Sequence, residues 1–119
     1  MQGIIRSQSK PEIYFEEKCF ITELLNSEES PDVSVARARV NPGVTTVLHW
    51  LKDTEEKYFI LSGSGEVEID GKVNGTVQGG DLVIIPENST QRIKNIGADD
   101  LIFICICTPR FETKNYNTR

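Results

Sequence analysis

From residue 33 onward, apolar and polar positions alternate in short runs, and no stretch keeps a 3.6-residue period. Val33 to Val40 alternates and puts Val35, Arg37 and Arg39 on one face before Asn41-Pro42-Gly43 breaks it. Thr45 to Leu51 is rich in β-branched and aromatic residues, the composition of a strand. After the polar Lys52-Asp53-Thr54, Lys57 to Leu61 predicts another strand, stopped by Ser62-Gly63-Ser64-Gly65. Glu66 to Ile69 alternates charged and apolar residues, and Asp70-Gly71 is a hairpin turn. Asn74-Gly75 predicts a second turn and Gly79-Gly80-Asp81 a third. Leu82 to Ile85 has the unbroken apolarity of a fully buried strand and ends at Pro86. Gln91 to Asn95 alternates again, and Leu101 to Cys107 is the longest apolar run. Turns at roughly eight- to ten-residue intervals predict an all-β sandwich or barrel.

The ends are less regular. Within Glu16 to Leu25, Cys19-Phe20-Ile21 reads as the centre of a strand. The first fifteen residues and those after Arg110 carry little apolar periodicity, as expected of arms that drape over the barrel or over a partner. The expected division is residues 1–30 as an arm with an edge strand, 31–110 as the barrel, and 111–119 as a tail.

Length and charge narrow the function classes. A chain of 119 residues is one domain. A net charge of −5 lacks the basic footprint of a nucleic-acid binder or a polybasic membrane-surface protein. Leu101 to Cys107 is far shorter than the ~20 residues that span a bilayer. The N-terminus lacks a signal peptide's apolar segment, so the cytoplasm is the expected compartment. Three cysteines imply no disulfide framework. Cys105 and Cys107 share one face of a strand and read as small core residues rather than soft metal ligands.

Candidate chemistry centres on His49, the one histidine. Alternation gives its strand an inward set of Thr45, Val47, His49 and Leu51, and the next strand an inward Glu56, Tyr58 and Ile60. A carboxylate in a barrel interior is costly unless something compensates it. A metal ion, protonation, a wet pocket or an arginine would do so, with Arg37 and Arg39 the competing partners for Glu56. Tyr58 is a further candidate to hydrogen-bond a ligand. Trp50 and Phe59 fall on the outer face. With the apolar segment Lys18 to Leu25, which can extend a neighbouring subunit's sheet, they predict a homodimer.

Two spaced motifs carry a family resemblance. Gly43, five residues, His49, one residue, Leu51, four residues, Glu56, six residues, Gly63 resembles the first motif of the cupins. Gly80, five residues, Pro86, one residue, Asn88, two residues, Gln91, three residues, Asn95 resembles the second. The resemblance covers roughly residues 33 to 107 and implies a cupin-type double-stranded β-helix, or jelly-roll barrel. In metal-binding cupins, two histidines and a glutamate of the first motif and a histidine of the second hold one divalent ion inside the barrel. By position, His49 and Glu56 are retained, Leu51 replaces the second histidine and Gln91 the third.

The resemblance therefore implies a metal set of His49, Glu56 and Gln91 for Zn, Ni, Mn or Fe, with a small polar molecule as ligand. His49, Glu56 and Tyr58 would be the catalytic groups of a metal-dependent isomerase, cyclase or dioxygenase type of enzyme. The alternative is a non-catalytic, metal-free binding or sensing barrel. Glu56 is chosen over Glu55 by the six-residue spacing to Gly63.

Overall fold

A computed structural model describes residues 3–118. The strands in chain order are β1 (Ile13–Phe15), β2 (Cys19–Leu25), β3 (Ser34–Val40), β4 (His49–Leu51), β5 (Glu55–Ser62), β6 (Ser64–Ile69), β7 (Lys72–Gln78), β8 (Leu82–Ile85), β9 (Thr90–Asn95), β10 (Leu101–Thr108) and β11 (Tyr116–Asn117). They form two antiparallel sheets, ordered β1-β2-β3-β10-β5-β8 and β11-β4-β9-β6-β7. Val40, Ile60, Leu101 and Phe103 of the first sheet and Val67 and Ile93 of the second meet in one core. Leu101 to Cys107, the longest apolar run, is the strand flanked on both sides by β3 and β5. No helix among the described residues is long and apolar enough to cross a membrane.

The turn chemistry acts where the chain reverses tightly. Asp70 and Gly71 have φ of 52° and 79°, the left-handed pair that a two-residue hairpin between β6 and β7 requires. Gly63, at φ 91°, runs so close to β10 that an added Cβ would lie 2.7 Å from the Asp100 carbonyl oxygen. Asn88 takes φ 67° at the position where the second motif has its glycine.

Several expectations are corrected. Asn74-Gly75 is no turn. Val67 pairs with Gly75 and Glu68 with Val73, so Asn74 is the extra residue of a bulge within β7. The strand expected over Thr45 to Leu51 is confined to His49–Leu51. Thr46, not Thr45, is buried. Its N–H donates to the Ile93 carbonyl at 2.9 Å, but its hydroxyl, rather than its carbonyl, accepts from the Ile93 N–H at 3.0 Å, which breaks the regular ladder and its alternation. Leu82 and Ile84 are each 53% exposed, because β8 is the edge strand of a sheet whose outer face this chain does not cover.

Arg37 and Arg39 do not approach Glu56. They share the outer face of β3, where both pair with Glu12. β2 pairs with β3 of its own chain, and β1 adds the edge beyond it. The C-terminal segment is bound in as well. β11 pairs with β4, and the Phe111 N–H donates to Ser34 Oγ at 2.9 Å. Phe59 is exposed on the outer face, and Trp50 is half-buried.

Candidate functional site

The strand registers bring the candidate residues to one end of the barrel. His49 lies opposite Gln91 across the β4–β9 pair. On β5, Glu56 and Tyr58 point inward while Lys57 and Phe59 do not, and Glu55 instead pairs with Lys57. The Tyr58 hydroxyl donates to Gln91 Oε1. Glu56, Tyr58, His49 and Gln91 are all buried. A cavity of about 70 Å³ lies on this side of the core. Glu56 and Tyr58 are in its wall, with Leu51, Phe103, Cys105 and Cys107. His49 and Gln91 are not in the wall, and Gln91 supports Tyr58 from behind.

Glu17, which sequence reasoning did not single out, also lines the cavity. It sits in the turn between β1 and β2, closed by the Lys18 N–H donating to the Phe15 carbonyl at 3.0 Å. Lys18 there takes a φ of 70°. The Val47 N–H donates to the Glu17 carbonyl at 2.9 Å, and the Val47 carbonyl in turn faces His49 Nδ1 at 2.7 Å. A carbonyl only accepts, so Nδ1 carries the proton and Nε2 keeps its lone pair. That lone pair faces Glu17 Oε2 at 3.6 Å. Tyr116 of β11 stacks on the imidazole, with ring centroids 5.1 Å apart.

Burial sets the protonation states. Desolvation raises Glu56 to about 7, and the negative charge of Glu17 adds to the effect. The neighbouring His49, Gln91 and Cys107 pull the other way. Desolvation likewise raises Glu17 to about 7, opposed by the Cys19 thiol. Burial lowers His49, opposed by its bond to the Val47 carbonyl and by Glu56, so the imidazole is neutral near pH 7. Burial keeps Tyr58 and the three cysteine thiols protonated. The thiols are thus poor nucleophiles. Glu56 Oε1 is buried with no hydrogen-bond partner. The site can exchange protons near neutrality through two carboxyls and has an unmet demand for a donor.

A family model for the cupin domain matches residues 36–107. The chain belongs to the cupin family. It is 36% identical over 93 residues to the uncharacterized protein MJ1618 of Methanocaldococcus jannaschii, covering 76% of this chain and 74% of that one. It is 29% identical over 91 residues to the oxalate decarboxylase OxdC of Bacillus subtilis, covering 73% of this chain but only 24% of that protein. This cupin thus spans about a quarter of OxdC's length. Its fold superposes on Pac13, a nucleoside dehydratase, with a TM-score of 0.83 at 13% identity, covering 100% of this chain and 92% of that one. At such identity the likeness shows the all-β cupin barrel alone.

The donors of this cupin do not fit the four-ligand ion of the metal-binding members. Leu51 is 3% exposed and offers no donor where the second histidine would stand. Gln91 Oε1 already accepts from Tyr58. Among the described residues, no three His, Cys, Asp or Glu side chains are placed to share an ion.

Proposed function

We propose that this cupin binds a small polar molecule in its barrel cavity and exchanges a proton with it through Glu56. The observation that supports this most directly is Glu56 Oε1, without a partner on a side chain only 8% exposed. An unsatisfied buried acceptor costs about 1–3 kcal/mol, and a ligand O–H or N–H removes that cost. A carboxyl raised to about 7 is matched to general acid–base work at neutral pH. Glu17 is a second proton-exchanging group in the wall, and Tyr58 a hydroxyl beside it. The reaction class is proton transfer, of the isomerase or cyclase kind; binding without turnover is the alternative use of the same site.

The test is a thermal-shift screen of polar metabolites on wild type, Glu56→Gln and Glu56→Ala. Compounds that stabilise wild type should lose their effect in Glu56→Ala. Equal stabilisation of all three proteins would rule the site out. Turnover of a hit, followed by NMR in D2O for exchange of a carbon-bound proton, separates enzyme from binding module.

A second reading keeps the family's divalent ion (Zn, Ni, Mn or Fe) at His49, Glu56 and Gln91. Its support is the Nδ1–H bond to the Val47 carbonyl, the arrangement that holds metal-ligating imidazoles. Elemental analysis of untagged protein decides it: one ion per chain, lost in His49→Ala, supports the reading, and substoichiometric metal removes it.

We also propose a homodimer in the cytoplasm. On the outer face of the six-stranded sheet, Phe59 lies opposite both Ile104 and Leu82, and with Leu61 and Ile84 it forms an apolar patch. The three free cysteines suit a reducing compartment. Sedimentation should give twice the monomer mass of 13.4 kDa, and the monomer mass after Phe59→Asp. Monomeric wild type at micromolar concentration would refute the dimer.

A further inference from the structure

The cavity wall has a one-sided charge. Glu17, Glu23 and Glu56 line it, and none of the described lining residues is Lys, Arg or His. The one basic group against these acids, the His49 imidazole behind the wall, is kept neutral by burial, and the arginines and lysine around the barrel turn elsewhere. Arg37 and Arg39 face Glu12 on the outer surface. Arg110 donates to Asn26 Oδ1 at 2.8 Å and lies 4.0 Å from Glu112. Lys57 pairs with Glu55.

The rest of the wall is aromatic or small. Phe15, Tyr58, Phe103 and Phe111 contribute rings, while Ala36 and Ala38 on β3 leave space. The register places Glu23, Ala36, Cys105 and Tyr58 in one row across β2, β3, β10 and β5. Glu23 is exposed, so it marks the outer end of the row, about 14 Å or three strand spacings from Tyr58. Glu56 lies one pair further along β5, opposite Cys107.

Carboxyls and π faces without a balancing cation form the surroundings that select an organic cation. About 70 Å³ holds roughly two or three water-sized groups, so the ligand is very small. Building on the small-molecule reading above, we infer that the cavity takes a small organic ammonium ion, with its charged head at Glu56 Oε1 and its apolar body against the rings, and that it rejects carboxylate anions. Glu17 shares the charge of the head, and Glu23 draws the cation to the mouth. A dicarboxylate such as oxalate would meet acidic groups and no cationic partner.

Titration calorimetry at pH 7.5 with ethylammonium, ethanol, acetate and oxalate tests this, since the first three share nearly one size and differ in charge. Wild type should bind ethylammonium at least tenfold more tightly than ethanol and give no heat with either anion. Glu56→Gln should lose tenfold or more in affinity for ethylammonium. Glu23→Gln should lose two- to threefold at low salt and nothing at about 0.5 M, as a screened surface charge would. Failure of ethylammonium to bind at millimolar concentration overturns the inference, and so does an anion that binds as well as it does. If acetate binds instead and Glu56→Ala abolishes that binding, the site stands and the charge class falls. If ethylammonium binds wild type, Glu56→Gln, Glu17→Gln and Glu23→Gln alike, the site itself is misplaced.

Discussion

The two faces of the strands β3, β10 and β5 treat charge in opposite ways. On the outer face, the Arg39 guanidinium is held by both Glu12 carboxylate oxygens, at 2.8 and 3.0 Å, and by Asp100 at 3.3 Å. It also lies over the Phe20 ring, 4.1 Å from the centroid. All of this happens in solvent, where such pairs contribute little. On the inner face, Glu56 is buried in an apolar wall with Glu17 as its acidic neighbour and one oxygen without a partner. A fold that satisfies a surface arginine several times over leaves a core carboxyl wanting. The imbalance marks the inner face as the place where something outside the chain completes the bonding.

A buried polar group on the same side that is fully satisfied sharpens the contrast. Asn95, the last residue of the second motif, is 0% exposed. Its Nδ2 donates to the Val40 carbonyl at 2.9 Å and the Asp99 carbonyl at 2.8 Å, and its Oδ1 accepts from the Gly97 N–H at 2.9 Å. Asn95 ties β3, β9 and the loop before β10 together and has nothing left to offer a ligand. Asn95→Ala leaves these groups unpaired and should destabilise by about 3 kcal/mol in denaturant titration, with no dependence on ligand. A loss under 1 kcal/mol would mean that burial with full bonding does not distinguish a structural from a functional polar group here.

Glu56 should behave in the reverse sense. Its carboxyl is raised from 4.5 to about 7, so the folded chain holds a proton that the unfolded chain releases. Stability contributed by that proton is complete below pH 4.5 and declines as pH rises through about 7. Full ionisation removes about 3 kcal/mol. Glu17 acts in the same direction, while His49, held neutral, disfavours folding only as pH falls below 6.5. Comparing Glu56→Gln with wild type isolates Glu56 from both. The stability difference should shift by about 2 kcal/mol in the variant's favour between pH 5 and pH 8. A constant difference over that range would show Glu56 to be ionised throughout and already compensated.

The satisfied parts were the more legible from sequence. Asp70-Gly71 dictates its hairpin by local backbone preference, and the spacings from Gly43 to Gly63 and from Gly80 to Asn95 register the strands that carry His49, Glu56 and Gln91. Glu17 was not legible. Its inward aim depends on the left-handed Lys18 and on a bond that its carbonyl accepts from the Val47 N–H, thirty residues away, and no periodicity encodes either. Thr46 broke the alternation for a similar reason, since its hydroxyl takes the Ile93 N–H that its own carbonyl would accept in a regular strand. The run Leu82 to Ile85 reads as buried on both faces because apolarity is the same signal whether the cover is this chain or another. Arg37 and Arg39 were placed correctly on one face of their strand, but alternation alone does not say which face is inside.

The smallest effect is expected where the bonding is most elaborate. Arg39→Gln removes the contacts to Glu12 and Asp100 and the stacking on Phe20. The Glu12 carboxylate, held below its usual range chiefly by its hydrogen bonds to Arg39, would return toward that range but stay ionised at pH 7. Both acids are partly exposed, so water replaces the lost donors, and the cost should be at most about 1 kcal/mol. The side chain points away from the cavity, so ethylammonium affinity should stay within twofold of wild type. The stability difference should be flat between pH 6 and pH 8, because Glu12, held below its usual range, stays ionised throughout. A loss of several kcal/mol, or a loss of ligand affinity, would show that the two faces are coupled through β3 and that the outer cluster helps to hold the cavity open.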